Sequence, residues 1–295
     1  MEFRRDWSLT LRMAGVVVLL AALYVGFAAA LAQYFGEVAA VAVAVGALSV
    51  GQLLYGHEVA LRSVGGEVVS ESEYPDLHAR VGRLAQQAGV RKPDVAVADE
   101  PMPNAFAAGR SESTAVVCVT TGLLDTVDGA ELDGVLAHEL AHVQHRDVVV
   151  MTLASAVSMA AFWVVRWGWI FDDGGGGGGG ENGQPQFLVA FAASLVVWVA
   201  SSLVIRLLSR YREYAADRGA VAITGEPAAL ATALAAIDGR MERVPDDDLR
   251  EHEGTSALMF CGVEAGKLTR WFGTHPAVDE RIERLRALEA EMASA

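Results

Sequence analysis

Four stretches of the chain, 13–32, 38–55, 148–165 and 187–205, contain no charged residue. Each holds about 18–20 residues, which at ~1.5 Å per helical residue approaches the ~30 Å hydrocarbon thickness of a bilayer. They read as two transmembrane helical hairpins, four spans in all. The second and third stretches are also short enough to be buried core helices, so two spans plus a buried hairpin is the alternative. The first hairpin turns at Gln33-Tyr34-Phe35-Gly36-Glu37; the second turns through Asp172, Asp173 and the glycine run Gly174 to Gly180. Such a run reads as a flexible linker without packed structure.

The remaining pattern is amphipathic. Leu77, Val81, Leu84 and Ala88 share one face of a helix over 74–89. Residues 94–98 and 114–120 alternate like strands, and between them Asn104-Ala105-Phe106-Ala107-Ala108-Gly109 suits an edge strand or a loop. Helical periodicity returns over 129–147, 210–223, 227–243 and 277–293, the last carrying Ile282, Leu285 and Leu288 on one side. The expected fold is α+β and mostly helical. Four parts are expected: an N-terminal membrane hairpin over 1–57, a polar domain over 58–147, a second hairpin over 148–208 and a C-terminal polar part over 209–295.

Basic residues give this arrangement a direction. Arg4, Arg5 and Arg12 precede the first span, Arg62 follows the second, His145 and Arg146 precede the third, and Arg206, Arg210 and Arg212 stand at or beyond the end of the fourth. Neither hairpin turn is basic apart from Arg166 at the edge of the second. Both termini and the polar parts are therefore expected in the cytoplasm, with the protein a multi-pass component of the cell membrane. The apolar run after Arg12 is too long for a cleaved signal, and another span follows it, so it reads as an uncleaved anchor.

Composition agrees with a mosaic: 53% of residues are hydrophobic and 20% charged. The net charge of −14, from Lys+Arg 23 against Asp+Glu 37, would repel phosphate backbones and argues against a nucleic-acid partner. Cys118 and Cys261 are spaced for neither a disulfide framework nor metal ligation and read as small buried hydrophobes.

Candidate chemistry centres on His138-Glu139-Leu140-Ala141-His142. Residues four apart lie on one helical face, so two imidazoles can bind one Zn²⁺ while Glu139, not itself a ligand, reaches the attacking water. Leu132, Val135, Leu136 and Leu140 supply the buried face that such a helix needs. A catalytic zinc usually takes three protein ligands. By spacing alone the best third candidate is Glu213, in Ser209-Arg-Tyr-Arg-Glu-Tyr-Ala-Ala-Asp217, although a solvated charged helix face would look the same. Asp217, one turn further on, suits the outer carboxylate that orients a ligating histidine. His145 near the ligand face, and His57, His78 and His252, read as surface residues.

Four patterns in this order resemble the HtpX-type membrane metalloproteases, relatives of the CAAX prenyl proteases: Pro103-Asn-Ala-Phe-Ala107, His138-Glu-Leu-Ala-His142 with Asp147 beyond it, Arg212-Glu-Tyr-Ala-Ala-Asp217, and Thr274-His275-Pro276 followed by Arg281-Ile282. The likeness covers nearly the whole chain; the glycine-rich linker departs from it, away from the motifs. It implies a gluzincin-like catalytic domain facing the cytoplasm, one Zn²⁺ per chain, and Glu213 as third ligand. It also implies Asn104, Ala105, Phe106 and Ala107 as a substrate-cradling edge strand. His275 is a candidate for oxyanion stabilisation or access control, with a capping role equally compatible. The expected activity is endoproteolysis of membrane or misfolded proteins. Polypeptide substrates and the lipid bilayer are the expected partners, and a homo-oligomer or other membrane quality-control partners are compatible. Two rivals share parts of this reading: a prenyl-protein protease, which has the same zinc site, and a catalytically silent membrane scaffold, which would bind no metal.

Overall fold

The computed structural model describes residues 7–35, 38–173, 183–241 and 276–294. The glycine run, His252, Cys261 and Thr274-His275 lie outside them. Helices dominate, in the order α1 (Trp7–Phe35), α2 (Val38–Ser63), α3 (Pro75–Ala88), α4 (Thr121–Leu124), α5 (Gly129–His145), α6 (Asp147–Asp173), α7 (Gly183–Thr224), α8 (Pro227–Met241) and α9 (Val278–Ala293), with four strands between α2 and α4. The chain divides into two compact units. One takes in residues 53–149 and those from 209 onward, the other 6–52 and 150–208.

The first unit is built on a four-stranded sheet of β1 (Gly66–Val68), β2 (Asp94–Ala98), β3 (Ala105–Ala108) and β4 (Val116–Thr120), in the order β1-β2-β4-β3. β2 and β4 run parallel, and the outer strands pair antiparallel with them. β3 is thus an edge. Its Asn104 carbonyl accepts from the Thr120 N–H at 3.0 Å. By strand alternation, Asn104 and Phe106 turn their main-chain groups toward β4, while those of Ala105 and Ala107 face the open edge. One face of the sheet joins the main core, where Leu77, Val81 and Leu84 of α3 meet Leu136 and Leu140 of α5 and Leu234 of α8. The other face, with Phe106 and Cys118, packs against Ala60 and Leu61 at the end of α2.

α5 has a capping box at its start. The Asp128 side chain accepts from the Ala130 and Glu131 N–H groups, and Glu131 accepts from the Asp128 N–H. Its end differs from the expected uninterrupted helix over 129–147. Arg146 takes the left-handed conformation, φ 54° and ψ 42°, and α6 starts afresh at Asp147. α7 also differs from expectation: no proline or glycine separates the apolar stretch from Arg210, and the two expected helices form one of 42 residues. β1, three residues long, shows no pattern of its own. His57 and His78 are partly buried rather than surface residues; His78 Nε2 lies 3.0 Å from the Val69 carbonyl, under the sheet edge.

In the second unit, Leu20, Ala154, Val204 and Leu208 form the packed centre, and the Tyr24 hydroxyl donates to the Ala154 carbonyl. Among the described residues, one stretch, Phe191–Thr224, is long and apolar enough to cross a membrane. Leu11–Phe27 and Asp147–Ala156 are shorter apolar helical segments.

Candidate metal centre

The capping of α5 and its buried face place His138 and His142 one turn apart, with rings edge-to-face at 85° and centroids 4.7 Å apart. α7 passes close beside them. The approach depends on Gly219, where a Cβ would stand 2.7 Å from the Ala141 Cβ. Two turns earlier on α7, Glu213 reaches the histidine pair.

The resulting triangle is tight. His138 Nε2 lies 3.1 Å from His142 Nε2. The Glu213 carboxylate lies 3.5 Å from the first and 3.6 Å from the second. Tetrahedral zinc with bonds of about 2.0–2.2 Å sets neighbouring donors roughly 3.3–3.6 Å apart; the two Glu213 distances, one to each carboxylate oxygen, fall in that range and the imidazole pair is slightly closer. The chemistry of the set fits too. His138 Nδ1 is 3.0 Å from Asp217 Oδ1, and His142 Nδ1 is 2.5 Å from Asp147 Oδ2. With each Nδ1–H donated to a carboxylate, each Nε2 keeps its lone pair toward the centre of the triangle. Burial opposes charge on His138, yet the acceptors Asp217 and Glu213 outweigh it and lift the group to about 9. A cation held at Nε2 would displace that proton, so metal binding there is linked to proton release.

Glu139 is buried, at 4% exposure. Burial pushes its carboxyl above the usual carboxylate range, moderated by the neighbouring imidazoles, and it accepts a hydrogen bond from the Ala107 N–H on the open edge of β3. A carboxylate with raised proton affinity, set against an open strand edge, is suited to general-base work.

Three further residues carry the centre and had no role assigned from sequence. Asp147 was visible only as part of a pattern. Arg212 holds it at 2.9 Å from the other side. Arg281, 1% exposed, forks onto Asp217 with Nε–Oδ2 3.0 Å and Nη2–Oδ1 2.6 Å, and lies 3.6 Å from Glu213. The signal for Arg281 was its spacing: it falls on the same α9 stripe as Leu285 and Leu288, where a charged residue must have a buried partner. His145 is exposed and stands outside the His138–His142–Glu213 group, and His275 is not among the described residues.

A helix carrying two histidines and a buried glutamate, joined by a distant carboxylate and laid against an open strand edge, defines a metallopeptidase. The family model described as peptidase family M48 matches residues 71–289, and the chain belongs to that family. It is 44% identical over 292 residues to "Protease HtpX homolog 2" of Methanosarcina mazei, covering 99% of each chain. It is equally 44% identical to "Protease HtpX homolog 1" of Streptomyces coelicolor, over 100% of this chain and 97% of that one. The crystal structure of S. mikatae Ste24p shares the fold, with a TM-score of 0.56 at 19% identity; the match covers 94% of this chain and 64% of Ste24p. The chain is a membrane metalloendopeptidase, mostly helical with a small sheet, and the silent-scaffold alternative gives way to this.

Proposed function

We propose that His138, His142 and Glu213 hold one Zn²⁺ and that Glu139 is the catalytic base of an endopeptidase acting on membrane or misfolded polypeptides. The observation that carries this reading is the orientation of both imidazoles, each tied at Nδ1 by a carboxylate so that both Nε2 atoms face Glu213. When bound, the cation supplies electrostatic polarisation of the scissile carbonyl. The chain's own residues do the rest. The main-chain groups of Ala105 and the Ala107 carbonyl, on the open edge, align an extended substrate by strand addition, while the Ala107 N–H is held by Glu139 and Asn104 and Phe106 hold that strand in the sheet. Glu139 takes a proton from the attacking water as its oxygen bonds to the carbonyl carbon. It then gives that proton to the amine nitrogen as the C–N bond breaks. Asp217 and Asp147 orient the two imidazoles. His275 is retained as a candidate for stabilising the oxyanion.

The four apolar helices are proposed to cross the bilayer as two hairpins, with the metal centre and both termini in the cytoplasm. The basic flanks and the outward-facing valines and leucines support this. The test of the chemistry is Glu139→Gln. It should retain one zinc per chain by metal analysis and lose about 10²–10⁴-fold in casein hydrolysis. Undiminished cleavage by the zinc-loaded variant would remove Glu139 from the reaction.

A further inference from the structure

Beyond the metal centre, a small pocket opens where β3 ends. It is lined by Ala107, Ala108, Arg110, His142, Arg146 and Asp147 among others. Gly109 turns the strand away, with φ +123° and no room for a Cβ beside the Thr114 carbonyl, and this turn carries Arg110 to the rim. Arg146 reaches the rim from the break between α5 and α6. Both arginines are exposed. Among the described residues neither has an ion-pair partner, although the chain carries a net charge of −14. The one acid in the lining, Asp147, is already engaged by His142 at 2.5 Å and Arg212 at 2.9 Å.

Arg146 is also the one non-glycine residue with positive φ among the described residues. Helix ends in this conformation favour glycine or asparagine, and a side chain kept there despite the strain points to a use for that side chain. Arg146 lines the same pocket as His142 and as Ala107 and Ala108 of the strand edge on which substrate is read to lie.

We propose that Arg110 and Arg146 form a carboxylate-accepting subsite, so that the peptidase favours an acidic group at one position within about two residues of the scissile bond. The proposal rests on the reading that substrate lies along the open edge of β3. Two exposed arginines lining one pocket, without an ion-pair partner among the described residues, suit a carboxylate by charge and by donor type. A glutamate or aspartate side chain and a free chain end offer the same chemistry.

The test uses the full-length, zinc-loaded protein in neutral detergent and peptides that differ only in Glu or Gln at each position around the cleaved bond. Each peptide is made with a free and with an amidated C-terminus. Wild type should favour Glu over Gln at one position by about tenfold in kcat/KM, as expected for one charge-assisted contact. In the double variant Arg110→Gln/Arg146→Gly that ratio should fall to near one. A preference that follows the free C-terminus instead assigns the subsite to a chain end and equally supports it. The ratio is taken within each protein, so it is indifferent to any folding loss. Equal rates on Glu and Gln and on free and amidated peptides in wild type, or a ratio unchanged in the double variant, would overturn the proposal. So would a response of the two arginines only to added anionic lipid vesicles. Glu139→Gln is run on the same peptides: if it cleaves them at the wild-type rate, the catalytic reading itself has failed, whatever the ratio.

Discussion

In the unit that carries the metal centre, large apolar side chains are inside and charges mostly outside. Leu84, Leu136 and Leu140 are fully buried. In the helical unit Leu20 and Leu208 are buried as well, yet much of the apolar bulk faces outward. Val18, Val25 and Val196 are 68%, 71% and 65% exposed, while Ser194 and Ser201 are fully buried. Water drives the first arrangement through removal of apolar surface. It gives no reason for the second, because contiguous exposed apolar faces of this kind associate or aggregate in water. On the proposal that this unit lies in a bilayer, lipid supplies the reason: tails are as apolar as valine, so apolar bulk can stay outward while residues such as Ser194 and Ser201 pack inside. On that proposal the two units follow one rule in two solvents.

The largest effects are expected where the first unit departs from its own rule, at the buried charges. Asp217→Leu takes from the buried Arg281 the carboxylate onto which it forks, with Glu213 at 3.6 Å remaining nearby. Breaking a buried pair from one side costs about 3–5 kcal/mol, and loss of a carboxylate behind a ligating histidine lowers metal affinity by about 10–100-fold. A thermal midpoint and a zinc titration in detergent measure the two separately. Little change in either would mean that Arg281 and His138 are held by something other than Asp217.

The sharpest contrast between the units comes from one substitution made twice. Val18 on α1 and Val68 on β1 are both valines, 68% and 60% exposed. On the proposal that α1 spans the bilayer, Val18→Arg is expected to cost about 2.5–3.5 kcal/mol, because a central position would then face lipid with a charge. Val68→Arg, on a sheet edge in water, should stay within about 0.5 kcal/mol. Unfolding of both variants in lipid vesicles gives the comparison; equal costs would remove the distinction between the two solvents.

The same physics explains what was legible in the sequence. The face of α5 was readable because four leucines and valines at helical spacing and two histidines four apart leave few alternatives. The apolar helices α1, α2, α6 and the first part of α7 were readable as uncharged runs. Arg281 was not, because a charged residue normally marks the solvent side and only its buried partners reverse that. The break at Arg146 was hidden for a similar reason: neither glycine nor proline signals it. The continuity of α7 was obscured by the change in polarity at Arg206–Arg212, which marks a change of environment and not of backbone. The meeting of Glu213 with the histidines rests on Gly219, whose meaning appears only once Ala141 lies opposite it.

That contact gives a smaller expected effect. Gly219→Ala gains up to about 1 kcal/mol in helix propensity, yet places a methyl 2.7 Å from the Ala141 Cβ, and overpacking costs typically about 1–3 kcal/mol. Net destabilisation of about 1 kcal/mol is expected. It should be accompanied by weaker zinc binding, as α7 moves off α5 and carries Glu213 with it. Stability and zinc affinity should fall together; a stabilised variant with unchanged affinity would show that the helices are not held by this approach.

The smallest effect separates backbone from side chain at Arg146. A left-handed residue with a Cβ costs roughly 1–2 kcal/mol, and glycine regains part of that while losing some through the freedom of its unfolded chain. Arg146→Gly should therefore be as stable as wild type or more stable by about 1 kcal/mol. Arg146→Ala keeps the strained backbone and removes only the guanidinium, so it should remain close to wild type. If both variants lose stability equally, the guanidinium is holding the α5–α6 junction together and its place at the rim is structural. If glycine alone is more stable, the strain serves no folding purpose, and a stability cost kept beside the strand edge is what a substrate-reading side chain would require.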